Sequence, residues 1–228
     1  MTKESNSNTP FTIITASLNH GRFLGDCLES VARQSGVSLE HFVIDGGSTD
    51  DSAEVAAKFP HATWIQEADE GMSDAINKGF DRAKGEWVMW LNADDRLKPG
   101  SLEKMVAELD KTNADVVYGD WDFIDEKGVF SRHVTAPRWS LFVHVHHHCF
   151  IGSTSAFYRR STVIDAGYRL RKDFRHQGID LWTSATDPFR RHTSSMATSS
   201  PVFHRKRRRS IGHCVGDMAV NRSPIVWS

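Results

Sequence analysis

From residue 11 to about 120, short apolar runs alternate with helical periodicities, the pattern of βαβ units around a mostly parallel sheet. Phe11-Thr12-Ile13-Ile14-Thr15 opens it as a strand, and Phe23, Leu24, Cys27, Leu28 and Val31 then recur at three- and four-residue steps, one face of a helix. His41–Ile44 and Thr63–Gln66 read as the next strands. Met72, Ala75, Ile76, Gly79, Phe80 and Ala83 form the stripe of a second helix. Trp87 to Leu91 are large and apolar without a break, as in a strand buried on both faces. Leu102, Met105, Val106 and Leu109 place a helix over 101–110, and Asp115–Asp120 is another short strand. Further on, Val129–Val134 reads as one strand of a hairpin and Phe150–Tyr158 as another, interrupted at Gly152–Ser155, with Thr162–Ala166 a short helix ended by Gly167. After about Arg175, Ser, Thr, Arg and His replace aliphatic residues, and such a segment buries little. The expected organisation is a flexible stretch over 1–10 and one α/β domain over 11–175, followed by a poorly structured tail over 176–228. The domain itself divides into halves 11–120 and 121–175.

The strand ends carry the candidate chemistry. The second strand runs into Asp45-Gly46-Gly47-Ser48-Thr49-Asp50-Asp51, where glycines permit a tight turn, Ser48 or Thr49 can cap a helix, and Asp50 and Asp51 suit its positive first turn. The apolar run ends at Asn92-Ala93-Asp94-Asp95, an amide and two carboxylates. One reading is turn and cap chemistry, since Lys98-Pro99-Gly100-Ser101 precedes a helix. The other is a ligand site, because open α/β sheets bind ligands beyond the carboxyl ends of their strands, and paired oxygen ligands suit a hard cation holding phosphates. Three strands deliver Asp45, Asp94 with Asp95, and Asp120 to one sheet edge, which favours the ligand.

Composition narrows the classes. At 228 residues with a formal net charge of -1, the chain has no global field for nucleic acid. Its basic cluster, His204 to Arg209, suits a solvated tail or contact with anionic lipid. Three distant cysteines fit a reducing compartment, and no run approaches the roughly 18 apolar residues of a membrane span. A cytoplasmic protein is expected, with peripheral contact at the inner face of a membrane compatible. His144, His146, His147 and His148 could bind zinc or nickel, but no second ligand cluster is near, so a solvated or acceptor-facing stretch is the better reading. The turn Ser17-Leu18-Asn19-His20-Gly21 is no G-x-G-x-x-G, which excludes dinucleotide dehydrogenases, and it is not the Gly-rich basic loop of sugar nucleotidyltransferases.

Four segments in order, Thr12 to Asn19, Val43 to Asp50, Glu70 to Gly79 and Trp90 to Asp95, resemble the family 2 glycosyltransferases in sequence and spacing. The resemblance implies an A-type glycosyltransferase fold, a single Rossmann-like mixed sheet flanked by helices. The implied reaction is sugar transfer from a UDP-, GDP- or dTDP-sugar to a glycan or lipid-linked acceptor with inversion, as in cell-surface polysaccharide or glycolipid biosynthesis. Asp45 then matches the acid that binds the base, with Ala16, Ser17 and Asn19 beside it, and Glu70, Gly71 and Asp74 close over base and ribose. Asn92, Ala93 and Asp94 match the Asp-any-Asp motif with Asn in its first position, leaving Asp94 and Asp95 to hold Mn²⁺ or Mg²⁺. A general base is expected late in the domain, where Gly178-Ile179-Asp180-Leu181-Trp182 nominates Asp180. Phe189 to Ser195 is similar to a late Arg-any-His segment, which puts His192 near the diphosphate. Between Trp182 and Phe189 the chain is shorter than the family pattern, so a degenerate donor-binding module is the non-enzyme alternative.

Overall fold

The computed structural model describes residues 11–109, 114–136 and 152–172, together with the backbone of 193–195 and 202–205. Its elements are β1 (Phe11–Ser17), α1 (Gly21–Ala32), β2 (Leu39–Asp45), α2 (Ser52–Ala56), β3 (Ala62–Gln66), α3 (Met72–Arg82), β4 (Trp87–Trp90), β5 (Arg96–Leu97), α4 (Ser101–Leu109), β6 (Val116–Tyr118), β7 (Trp121–Ile124), β8 (Phe130–Val134), β9 (Ala156–Arg159), β10 (Thr193–Ser195) and β11 (Val202–Arg205).

A seven-stranded sheet in the order β10-β6-β9-β4-β1-β2-β3 forms the centre. β1 runs parallel to β2 and β4, β2 to β3, and β6 to β10. Only β9 is reversed, lying antiparallel between β4 and β6. The strands that end at Asp45, Asp94 and Asp120 therefore all point to one edge.

Alternation along the strands sorts the core into two layers. Phe11 and Ile13 of β1, with Trp87 and Met89 of β4 and Leu91 just after it, pack against Cys27 and Val31 of α1 and Leu102 and Met105 of α4. Ile14 and Trp90 face the other way, onto Ala75, Ile76 and Phe80 of α3 and Tyr118 and Tyr158. This is why Trp87 to Leu91 is apolar without a break: no position in it sees water. Trp90 stacks on Tyr158 with centroids 5.3 Å apart and meets the edge of Phe80 at 6.0 Å. Helix α3 lies so close to β1 that a Cβ on Gly79 would overlap Ile14 Cγ2.

A second sheet, ordered β5-β11-β7-β8, grows from the same edge. β5 starts directly after Asp95, and β7 directly after Asp120. Val129 to Val134 is a hairpin strand as the pattern indicates, pairing as β8 with β7.

Two local expectations are corrected. Met72 lies at the first position of α3 with 42% exposure, because the stripe passes beyond the sheet there. The segment read as a helix over Thr162–Ala166 is instead a wide π turn, Arg160–Ile164, closed by Asp165 N–H to the Arg160 carbonyl at 2.8 Å. The expected interruption at Gly152–Ser155 is present as a 3₁₀ turn at Ser153–Ser155, from which β9 follows at Ala156, while Phe150 and Ile151 lie outside the described residues.

Candidate functional site

The first wall of the edge is two turns stitched together. After β1, Asn19 takes φ 55°, a left-handed conformation that Asn tolerates. Its side-chain oxygen accepts Thr49 N–H at 2.9 Å, its own N–H donates to Ser48 Oγ at 2.8 Å, and Gly21 N–H donates to Asp50 Oδ2 at 2.9 Å. The Asp45 carboxylate builds its own turn, accepting Gly47 N–H at 3.0 Å and Ser48 N–H at 2.7 Å on one oxygen and the Ser48 hydroxyl on the other. Ser48 is thus bound back to Asp45 and Asn19, and α2 begins only at Ser52. Gly46 N–H donates to the Ser17 carbonyl at 3.0 Å, and Glu67 N–H to the Asp45 carbonyl at 2.9 Å. A Cβ on Gly46 would stand 2.5 Å from Asp69 Oδ2, so the loop after β3 closes directly over this turn. At the end of β1 the Ser17 hydroxyl is buried without a hydrogen-bond partner among the described residues.

The second wall is the N-terminus of α3. Gly71 turns the chain at φ 112° and donates its N–H to Asp69 Oδ1 at 2.8 Å. Asp74 accepts Glu70 N–H at 3.1 Å, and its other oxygen lies 2.7 Å from Lys172 Nζ. The Lys172 ammonium, with the Glu70 amide and Lys78 also near, holds the Asp74 carboxyl below the usual carboxylate range.

At the tip of β4, Asp95 N–H closes a turn onto the Asn92 carbonyl at 3.0 Å, and Asn92 Nδ2 donates to Asp95 Oδ2 at 2.8 Å. Ala93 points into the core. Asn92 Oδ1 is then buried with no hydrogen-bond partner among the described residues. Asp94 is only 7% exposed, and its carboxylate makes no hydrogen bond or ion pair among the described residues. Beneath the turn, Cys27 Sγ donates to the Asn92 carbonyl at 3.5 Å, and burial, with Asp95 and Asp94 nearby, pushes the thiol up so that it stays neutral.

Two adjacent carboxylates and an amide oxygen at the end of a strand are oxygen donors of the kind a hard cation takes. Among the described residues no group of three or more His, Cys, Asp or Glu side chains is arranged to hold a metal by itself. Phosphate oxygens would have to complete the set.

Asp120 reaches the same edge, where its Oδ1 accepts Ala136 N–H at 2.7 Å. The sequence reading passed over its neighbours. Asp122, two residues on and facing the same side of β7, is buried against Lys98 and takes His133 Nδ1 at 2.6 Å, while His133 Nε2 lies 3.6 Å from Asp120 Oδ2. Acids at i and i+2 in a strand were the available signal. Asp180, His192 and the histidines of 144–148 lie outside the described residues, and Arg205 is described only in its backbone. Among the described residues no helix is long and apolar enough to cross a membrane.

The chain belongs to glycosyl transferase family 2: the family model, described as "Glycosyl transferase family 2", matches residues 12–165. A Mycobacterium bovis PGL/p-HBAD biosynthesis glycosyltransferase is 37% identical over 117 residues, 48% of this chain and 46% of the relative. The uncharacterized glycosyltransferase YibD of Escherichia coli is 29% identical over 202 residues, covering 78% of this chain and 56% of its own. The chain thus spans about half the length of the curated relatives it matches. The fold is that of S. aureus TarS 1-349 in complex with UDP-GlcNAc, at TM-score 0.73 and 18% identity over 88% of this chain and 59% of the other. Mannosyltransferase PcManGT from Pyrobaculum calidifontis, in complex with GDP-Man and Mn2+, aligns at TM-score 0.62 and 16% identity over 88% of this chain and 58% of its own.

Proposed function

We propose that this chain transfers a sugar from a nucleoside diphosphate donor to an acceptor hydroxyl, with inversion at the anomeric carbon. One observation carries the reading. Asp94, 7% exposed, has a carboxylate with no hydrogen bond or ion pair among the described residues, beside the buried Asn92 oxygen, at the strand ends where an α/β sheet receives its ligand. Oxygens left unspent at the end of a strand favour a ligand that completes them. The related folds bound to UDP-GlcNAc and to GDP-Man with Mn2+ support the same donor class.

In this reading the Asp45 turn and the Glu70–Asp74 turn hold base and ribose between them, with the Ser17 hydroxyl free to donate to the base. Asn92, Asp94 and Asp95 would hold Mn²⁺ or Mg²⁺, which neutralises charge growing on the departing diphosphate. A base on the opposite face of the sugar must take the acceptor proton, and Asp180 is assigned that role, with His192 beside the diphosphate. The acceptor is assigned as a glycan or lipid-linked glycan of surface polysaccharide or glycolipid synthesis. The basic cluster from Arg205 to Arg209 would meet anionic lipid on the cytoplasmic face.

Purified protein incubated with UDP-, GDP- and dTDP-sugars and Mn²⁺ should release the matching nucleoside diphosphate, and Asp180→Ala should bind donor without turning it over. Failure to bind or turn over any nucleotide sugar would overturn the proposal. Binding without release in the wild-type chain would favour a degenerate donor-binding module, the reading that the short interval between Trp182 and Phe189 supports.

A further inference from the structure

A strap from the second half of the chain runs along α3. The Arg169 guanidinium donates to Asp81 at 2.6 and 3.2 Å. Asn77 closes a double hydrogen bond on the Leu170 backbone, accepting its N–H at 2.9 Å and donating to its carbonyl at 2.8 Å. Lys172 Nζ lies 2.7 Å from Asp74 and 3.1 Å from Glu70. Positions 81, 77, 74 and 70 recede at steps of four, three and four, so they follow one face of the helix and its approach. The strap meets them in rising order, from 169 to 172, and is therefore antiparallel to α3. Leu170 is buried in the core, which seats the strap firmly at its middle.

Its last tie falls on the turn assigned to the donor. Glu70 and Asp74 flank Gly71, whose φ of 112° is a conformation that glycine adopts without strain. Apart from Lys172, the ends of the turn are joined by the Glu70 N–H to Asp74 bond and by Asp74 N–H to the Gly71 carbonyl at 2.9 Å. Lys172 is about half exposed, at 46%, so its ion pairs add little to global stability. Their effect is local, fixing two carboxylates on either side of Gly71.

We propose that Lys172 is a positioning residue for the donor turn: by clasping Glu70 to Asp74 it makes nucleoside diphosphate binding and docking of the strap on α3 favour each other. The inference rests on the donor site proposed above. Coupling of this kind is reciprocal, so the strap raises nucleotide affinity and the nucleotide tightens the strap.

The test uses the full chain, as wild type, Lys172→Met and Lys172→Arg, titrated calorimetrically with UDP, GDP and dTDP in the presence of Mn²⁺. Lys172→Met should weaken the preferred nucleotide by roughly fivefold or more, the lower end of typical coupling, and Lys172→Arg should restore most of the loss. Hydrogen exchange supplies the second reading, because a purely structural lysine would not make protection depend on nucleotide. Bound nucleotide should slow exchange of the Leu170 amide in wild type and not in Lys172→Met. Equal affinity in wild type and Lys172→Met, or equal nucleotide-dependent protection of Leu170 in both, would overturn the inference while leaving the donor site standing. If wild type binds none of the three nucleotides, the donor reading falls and takes this one with it. Should Lys172→Met not fold, Leu170 in the wild type decides alone, since no nucleotide-dependent protection there means no coupling.

Discussion

Asp94 and Asn92 set the residue scale. The Asp94 carboxylate has no hydrogen bond or ion pair among the described residues and, in the proposed reading, is kept for a ligand rather than for stability. Asp94→Asn removes that charge with almost no change of shape. Urea denaturation without ligand should show the variant equal to or about 1 kcal/mol more stable than wild type, while nucleoside diphosphate release is lost. A large loss of stability in Asp94→Asn would mean that the carboxylate has a structural partner, and the site would have to be redrawn. Asp45 behaves differently, because both its oxygens already hold the turn that follows β2. Replacing it should disturb the turn as well as any base it contacts, and its loss is therefore a poorer test of function.

At the scale of elements, the close approach of α3 to β1 depends on Gly79. Ile14 is β-branched and fully buried, so it has no room to yield to a new methyl group. Gly79→Ala should cost about 1–3 kcal/mol by urea denaturation, and an unchanged midpoint would mean that α3 can slide. β2 carries one part of the pH dependence. His41 is buried with Nε2 2.9 Å from Thr15 Oγ1, and burial, with His61 near, pushes it from its ordinary 6.5 down to about 3. The unfolded chain then takes up this proton first, so stability is full above pH 6.5 and falls on acidification towards pH 3. For one proton the slope is about 1.4 kcal/mol per pH unit. Denaturation between pH 7 and 5 should be visibly less steep for His41→Gln than for wild type.

Elements of this kind were legible in the sequence when burial alone dictated them. Trp87 to Leu91 announced itself because both faces of β4 are covered, and the stripe of α1 because one face of it is. Met72 misled because periodicity does not say where a helix outruns the sheet beneath it. The acids at the strand tips were legible as a group, but the use of each was not. Asp45 spends its oxygens locally and Asp94 leaves its own open, a difference set by turn geometry that a string of residue types does not carry. Pairings across the fold were hidden altogether. His133 finds Asp122 only once the hairpin forms, and Lys172 lies 102 positions from Glu70.

Across the whole molecule, the central sheet supplies the edge at which the donor is proposed to bind, and the small sheet continues the chain from Asp95 and Asp120. Strands and turns from both halves of the chain meet there, so a ligand bound at the edge stabilises the molecule as a unit. At one hundred times its dissociation constant, a nucleotide that binds only the folded state should add about 2.7 kcal/mol to unfolding, measurable as a rise in melting temperature. The central claim is that the open carboxylate of Asp94 completes a nucleoside diphosphate site through a divalent cation. Calorimetric titration of UDP, GDP and dTDP into wild type and Asp94→Asn, each with Mn²⁺ and with chelator, tests it most directly. The expected result is binding of one nucleotide by wild type that is strengthened by Mn²⁺, with that strengthening absent in Asp94→Asn. Binding that is the same in both proteins and indifferent to Mn²⁺ would contradict the account.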